Sequence, residues 1–225
     1  MKFVTKTKLV IYGCSSFTKS IISLANKIDE IDVVAICVDD EYIPTLPKTF
    51  CNLEVLGFDD AMRMHPDASY ILAIGYKSMR KREVVYNKLR ACNLHIATLI
   101  SPNASVSSDR IGPGCIVFDG AVIEQGAIIH DNVTIWSNVT ICHDVEIGCH
   151  CFIAANATLG GFSKVGKLTF VGFSTTLIDS IKVGNECLLG ASSLINFNIM
   201  DLSKCYGVPV RLIGHIDPQL GVNIT

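Results

Sequence analysis

A step of six residues from Ile111 meets a branched aliphatic at every stop: Val117, Ile123, Ile129, Ile135, Ile141, Ile147 and Ile153. The series runs on through Leu159, Val165, Val171, Leu177, Val183, Leu189 and Ile195. Ile, Leu and Val make up 65 of the 225 residues, so chance does not give fifteen in unbroken register. Two positions before most of these aliphatics stands a small residue, such as Cys115, Ala121, Ala127, Cys151, Ala157 or Ser193. One position after them glycine recurs, at 112, 148, 160, 166, 172, 184 and 190. A fixed six-residue period marks a parallel β-helix. Alternation within each hexad sends the aliphatic and the small residue inward, and the recurring glycine is expected to let the backbone turn each corner. Three hexads close one triangular coil of eighteen residues, which predicts about five coils stacked about 4.8 Å apart.

Residues 1–98 carry a different pattern. Apolar strands are expected over Lys8–Tyr12, Ile31–Val38, Leu53–Leu56, Tyr70–Ile74 and Leu94–Leu99, with the stretch from Met1 read as leading into the first. Helical spacing places Ile21, Leu24, Ala25 and Ile28 on one face, and Val85, Leu89 and Cys92 on another. Such alternation predicts a small, Rossmann-like, mostly parallel α/β sheet. The division is then 1–98 for this domain, 99–200 for the β-helix, entered at Ser101-Pro102, and 201–225 for a C-terminal tail.

Net charge is −2 with 18% charged residues, which argues against nucleic acid or an anionic membrane as partner. No apolar run approaches the length of a spanning helix, and residues 1–13 lack the core of a signal peptide. Ten cysteines without such a signal point to reduced thiols and a cytoplasmic protein. Cys115, Cys151 and Cys187 fall at the small inward position, as little hydrophobes.

Ligands of open α/β sheets lie beyond the carboxyl ends of the strands. That selects Gly13-Cys14-Ser15-Ser16-Phe17, Asp39-Asp40 and Gly75-Tyr76-Lys77. The first loop equally suits an ordinary helix start with Ser15 or Ser16 as cap, and the two acids equally suit a solvated turn. In the β-helix, His143 lies in the corner Cys142-His143-Asp144, with Gly161 one coil above it. A base beside a carboxylate and a bare backbone N–H is the minimal equipment for acyl transfer. A solvated surface histidine remains open, as does His130, which Asp131 follows and above which stands Gly148. His150 lies on yet another phase.

The hexad array, the His143-Asp144 corner and the Gly207-Val208-Pro209-Val210-Arg211 exit resemble the bacterial hexapeptide acyltransferases. With Ile11-Tyr12-Gly13-Cys14-Ser15, Val38-Asp39-Asp40 and Ala73-Ile74-Gly75 in front, the likeness is to sugar-nucleotide acetyltransferases. These comprise the UDP-4-amino-sugar N-acetyltransferases and the sialic-acid O-acetyltransferase group. The resemblance implies a left-handed β-helix, a homotrimer and a site between neighbouring β-helices. It implies acetyl-CoA as co-substrate with no metal, and direct transfer to the amino group of a nucleotide-linked sugar, UDP-4-amino-4,6-dideoxy first, in surface-glycan biosynthesis. His143 matches the general base, Asp144 the acid beside it and Gly161 the oxyanion donor. Ser15, Ser16, Asp39, Asp40 and Gly75 match nucleotide-sugar positions; Gly172 and Phe173 match the pantetheine-contacting coil, with Gly190 one coil further. At position 152 many relatives have a histidine touching the acetyl donor, so Phe152 implies apolar or backbone contact there. The alternatives are O-acetylation of a sialic acid and a γ-carbonic-anhydrase-like zinc protein recruiting His130, His143 and His150. Trp136, Phe118 and Phe173 are expected on exposed faces, where trimer contacts would cover them.

Overall fold

A computed structural model of the chain describes residues 6–224; Met1–Thr5 of the expected first strand lie outside that range. The N-terminal domain runs β1 (Thr7–Tyr12), α1 (Ser16–Ala25), β2 (Ile31–Val38), β3 (Thr49–Phe50), β4 (Leu53–Gly57), α2 (Phe58–Met64), β5 (Ser69–Leu72) and α3 (Met79–Ala91). Its sheet has the order β3-β4-β2-β1-β5, parallel apart from β3. Leu9, Ile11, Ile36 and Ile71 pack with Ile21 and Leu24 of α1 on one face. Val10, Ala35 and Tyr70 pack with Ala61 of α2 and Leu89 of α3 on the other. Cys92 is not inward; it is exposed at the end of α3, where the helix has closed. Leu94–Leu99 is not a strand of this sheet either. Ile96 makes one bridge to Tyr70, and Leu99–Ile100 pairs with Ile116–Val117 as the first rung of the β-helix.

The hexads fold into a left-handed β-helix of three parallel sheets. Each strand pairs with the one eighteen residues on, as Thr134 with Phe152 and Phe152 with Phe170. The inward aliphatics and small residues form one apolar column, with Cys115, Ile141, Cys151, Ile153, Ala157 and Cys187 wholly buried.

Glycine turns only the first three corners, at Gly114, Gly120 and Gly126. The corner residue with left-handed backbone lies three positions after each aliphatic, and from Asn132 to Ser192 it is never glycine. Asn138, Asp144, His150, Phe162, Leu168 and Glu186 hold φ between 50° and 64° there, each at a cost of about 1–2 kcal/mol. What offsets that cost is regular: each such residue donates its N–H to the previous coil, as His150 to the Asp131 carbonyl (2.8 Å) and Phe162 to that of His143 (3.1 Å). The recurrent glycines one step after the aliphatic serve stacking instead. A Cβ on Gly166 would stand 2.5 Å from the Gly184 carbonyl carbon, and one on Gly148 2.7 Å from the Lys167 nitrogen.

One sheet of the β-helix faces the N-terminal domain. Phe118, Trp136, Phe152 and Phe170 point outward from it and meet Phe17 of α1 in a continuous aromatic cluster. Trp136 and Phe118 therefore do not form a free face; the chain's own α1 covers them. Beyond this, α3 lies along one corner of the β-helix and bonds to more than one of its coils. Tyr86 donates to Asp131 (2.7 Å), Arg82 to the Asn132 carbonyl (2.8 Å), and Arg80 to Glu186 (2.7 and 3.0 Å).

The stretch expected as a tail, 201–225, is structured within the described residues. Ser203–Tyr206 adds a parallel rung beside Leu188–Leu189, and Arg211–His215 caps it antiparallel. Residues 217–224 then return to the N-terminal domain, where Val222 is wholly buried and its carbonyl accepts from the Met79 N–H (3.1 Å). Among the described residues no helix is long and apolar enough to cross a membrane.

Candidate active site

A cleft of about 1480 Å³ opens where the strand ends of the N-terminal domain meet the β-helix. Ser15, Ser16, Asp39, Gly75, Phe152 and Phe173 line it, so six of the twelve expected site residues share one space. Gly13 makes the entry possible: at φ 120° its Cα faces the Ala73 carbonyl, from which a Cβ would stand 3.0 Å. Ser15 caps α1, accepting from the Phe17 N–H (3.2 Å) while Thr18 accepts from the Ser15 N–H (2.9 Å). Its hydroxyl is thus committed to the helix start, and the α1 N-terminus with exposed Ser16 faces the cleft. Gly75 has open space where a side chain would stand.

Asp39 is held by two groups that the sequence pattern did not reveal. Its Oδ1 accepts from the Tyr12 hydroxyl (2.5 Å) and from the Lys88 ammonium, which also lies 4.1 Å over the Phe58 ring. Burial alone would raise the carboxyl, but the Lys88 and Tyr12 donors more than offset it and hold the group below the usual carboxylate range. Asp40 is elsewhere: it is exposed, with its carboxylate over Gly57 at the start of α2, where a Cβ would clash with it. Tyr76, Lys77, Lys81, Gln219, Leu220 and Asn223 also line the cleft. Tyr76 and Lys77 belong to the expected Gly75-Tyr76-Lys77 loop, but nothing in the period of residues 217–224 marks them as a cleft wall.

Three donor-site expectations change. Phe152 is 2% exposed, stacked on Trp136 (5.8 Å) and Phe170 (5.7 Å), because its sheet face is covered by the N-terminal domain. It offers the cleft an edge rather than an open contact. Gly172 and Gly190 are buried. A Cβ on Gly172 would meet the coil above at 2.6 Å, and one on Gly190 would enter the Tyr206 ring, so both are glycine for packing. Phe173 is exposed, at 47%.

The His143 corner lies away from this cleft, between the strands Thr140–Ile141 and Glu146–Ile147. Its ring Nδ1 is 3.2 Å from Asp144 Oδ2, a contact made possible by the left-handed turn at Asp144 (φ 56°). The His143 N–H donates to Glu124 (2.8 Å), and Phe162 stands edge-on to the ring at 4.9 Å. Gly161 is directly above: a Cβ there would come 2.8 Å from Cε1 and 2.9 Å from Nε2. Among the described residues the Gly161 N–H has no acceptor. Exposed Phe162, Ile178 and Phe197 gather on the same corner.

The rival histidines have other partners. His130 Nε2 meets Glu146 (3.1 Å), which Lys164 also engages (2.8 Å), while Asp131 is taken by Tyr86. His150 is buried under α3, accepts at Nδ1 from Asn132 (3.0 Å), and is pushed down to about 4, chiefly by burial and then by Arg82. His130 and His150 thus lie about one corner, at Asp131-Asn132, and His143 about another.

Residues 8–89 match the PglD N-terminal domain, and residues 110–143 and 126–161 match the bacterial transferase hexapeptide (six repeats). Among solved structures the fold is similar to PerB from Caulobacter crescentus, in complex with CoA and GDP-perosamine. That likeness has a TM-score of 0.82 and 26% identity over 92% of this chain and 97% of that one. Together these matches support a hexapeptide-repeat sugar acetyltransferase. The acetyltransferase domain of PglB from Neisseria gonorrhoeae shares the fold at TM-score 0.83 and 22% identity, over 92% and 100% of the two chains. An acyl-[acyl-carrier-protein]–UDP-N-acetylglucosamine O-acyltransferase from Campylobacter concisus is 32% identical over 77 residues, 32% of this chain and 29% of that protein. The chain thus spans less than a third of that curated relative.

Proposed function

We propose that this acetyltransferase moves acetyl from acetyl-CoA to the amino group of a nucleotide-linked amino sugar, for bacterial surface-glycan synthesis in the cytoplasm. The observation that carries the reading is the His143 corner: a ring fixed by Asp144 at 3.2 Å, under a glycine whose side-chain space the ring fills. Asp144 accepts from Nδ1–H, which leaves Nε2 as the basic atom. As the sugar nitrogen attacks the thioester carbonyl, Nε2 takes its proton, a contribution of about 10²–10⁴-fold. The Gly161 N–H donates to the oxygen that gains charge, a type of contact worth about 3 kcal/mol. The C–S bond then breaks, and the thiolate leaves and recovers a proton. The α1 N-terminus, Asp39 and Gly75 hold the nucleotide; Phe173 contacts the pantetheine arm.

His143 and the cleft lie on different edges of the triangular helix, so one chain does not bring base and nucleotide together. A homotrimer answers this, with the His143 corner of one copy beside the cleft of the next. Exposed Phe162, Ile178 and Phe197 support it, since an apolar corner of this kind suits a subunit interface. PerB, crystallised with GDP-perosamine, supports a nucleotide 4-amino sugar as acceptor. A related Caulobacter perosamine N-acetyltransferase structure carries a histidine replaced by asparagine.

The test is release of CoA thiol from acetyl-CoA across UDP-, dTDP- and GDP-linked amino sugars and a free sialic acid. Release with a nucleotide amino sugar, and an amide in the product, is the expected result. Release with sialic acid alone would replace N- by O-acetylation.

A further inference from the structure

Arg82 is, among the described residues, the largest wholly buried cation-bearing side chain, 1% exposed, and it faces no carboxylate among them. Burial pushes its guanidinium down to about 10, so it is still charged at neutral pH. A buried cation without an anion is costly. Its fork is met by neutral acceptors only: the Asn132 carbonyl (2.8 Å), Thr134 Oγ1 (3.0 Å) and the Ile74 carbonyl (2.5 Å), with the Phe152 ring 5.9 Å away. Two of these acceptors belong to the β-helix. The third belongs to the loop after β5, one residue before Gly75.

That third bond has a geometric consequence. The only cis peptide among the described residues is Val208-Pro209, so Ile74–Gly75 is trans. In a trans peptide the C=O and N–H point in opposite directions. A carbonyl held toward Arg82 therefore turns the Gly75 N–H away from it. Gly75 lines the cleft and Arg82 does not. Among the described residues the Gly75 N–H finds no acceptor. The loop is held from outside as well, where the Ile224 N–H donates to the Lys77 carbonyl (3.3 Å) and Asn223 bridges Ser78.

We propose that Arg82 is a positioning residue: its grip on the Ile74 carbonyl aims the Gly75 N–H into the cleft as a donor to the bound nucleotide sugar. This rests on the nucleotide-sugar reading of the cleft. It makes the β-helix, through Asn132 and Thr134, the reference frame for a ligand bound mainly by the other domain. It also accounts for a cation with no counter-ion: a carboxylate partner would satisfy the fork and release the loop.

Arg82→Met in the full chain should raise the KM for the nucleotide amino sugar about tenfold, the loss expected for one hydrogen bond to a charged group. The kcat and the KM for acetyl-CoA should stay within about twofold, since neither involves this peptide. In ¹⁵N-labelled protein, UDP, GDP or dTDP should shift the Gly75 amide in wild type and not in Arg82→Met. A purely structural role would lower the folded fraction, and so the apparent kcat, with KM and the Gly75 shift unchanged; that result overturns the proposal. Should Arg82→Met not accumulate folded, Thr134→Val and Arg82→Lys keep most of the packing, and each must raise the nucleotide-sugar KM selectively. If wild type binds none of the three nucleotides, the reading of the cleft falls. Arg82 is then judged by the ligand-free Gly75 amide signal, which must move between wild type and Arg82→Met.

Discussion

Gly161 owes its identity to the ring beneath it. A methyl group there would stand 2.8–2.9 Å from the His143 ring, closer than carbon and nitrogen pack, so the ring must swing. Gly161→Ala keeps the N–H but moves the base, and a shift of about 1 Å costs about 10²-fold in turnover. Steady-state kinetics should show that loss; wild-type turnover would contradict the geometry. The pairing of these two residues is legible in the sequence alone. A period of eighteen residues stacks His143 under Gly161 whatever the handedness of the coil. What the sequence did not reveal at this scale was the function of a glycine or a phenylalanine once something covers it. Gly190 lies under Tyr206, and Phe152 lies under α1 and the Tyr76 ring (5.0 Å). Hexad phase tells which way a side chain points, and not what meets it there.

At the scale of elements, the strands and helices of the N-terminal domain follow from alternation and capping, and the coils follow from the hexads. The docking of α3 does not follow from either. Its contacts join residues about 50 to 106 apart, with no shared period to announce them. One consequence is an acid-sensitive joint. His150 sits under α3 with its pKa lowered to about 4 from 6.5, so the folded protein holds it neutral. The unfolded chain binds the proton first, and stability present above about pH 6.5 is lost as pH falls toward 4, by ~3 kcal/mol for this shift. His150→Asn keeps a residue tolerant of the left-handed backbone and removes the titration. Urea midpoints from pH 7 to 4 should fall less steeply in His150→Asn than in wild type. Parallel slopes would mean that the joint is not what titrates.

Over the whole molecule, the cleft and the His143 corner lie on separate edges, and the proposed trimer is what would unite them. Phe197→Asp puts a charge on the corner shared by His143, Gly161 and Asp179, two coils above the base. Sedimentation should show wild type as a trimer and Phe197→Asp shifted toward monomer, with activity falling in step. A fully active monomer would remove the shared site. The overall architecture was readable because both domains carry local periods. The return of residues 217–224 to the N-terminal domain was not, since only two apolar anchors without a period, Val222 and Ile224, carry it. The most direct measurement is turnover of His143→Ala with acetyl-CoA and the cognate nucleotide amino sugar. Proton removal by a positioned base predicts a kcat lower by two to four orders of magnitude, roughly the range for a lost general base, with acetyl-CoA binding intact. A kcat within about tenfold of wild type, less than such a loss, would place the base elsewhere, with His130 beside Glu146 the first residue to replace.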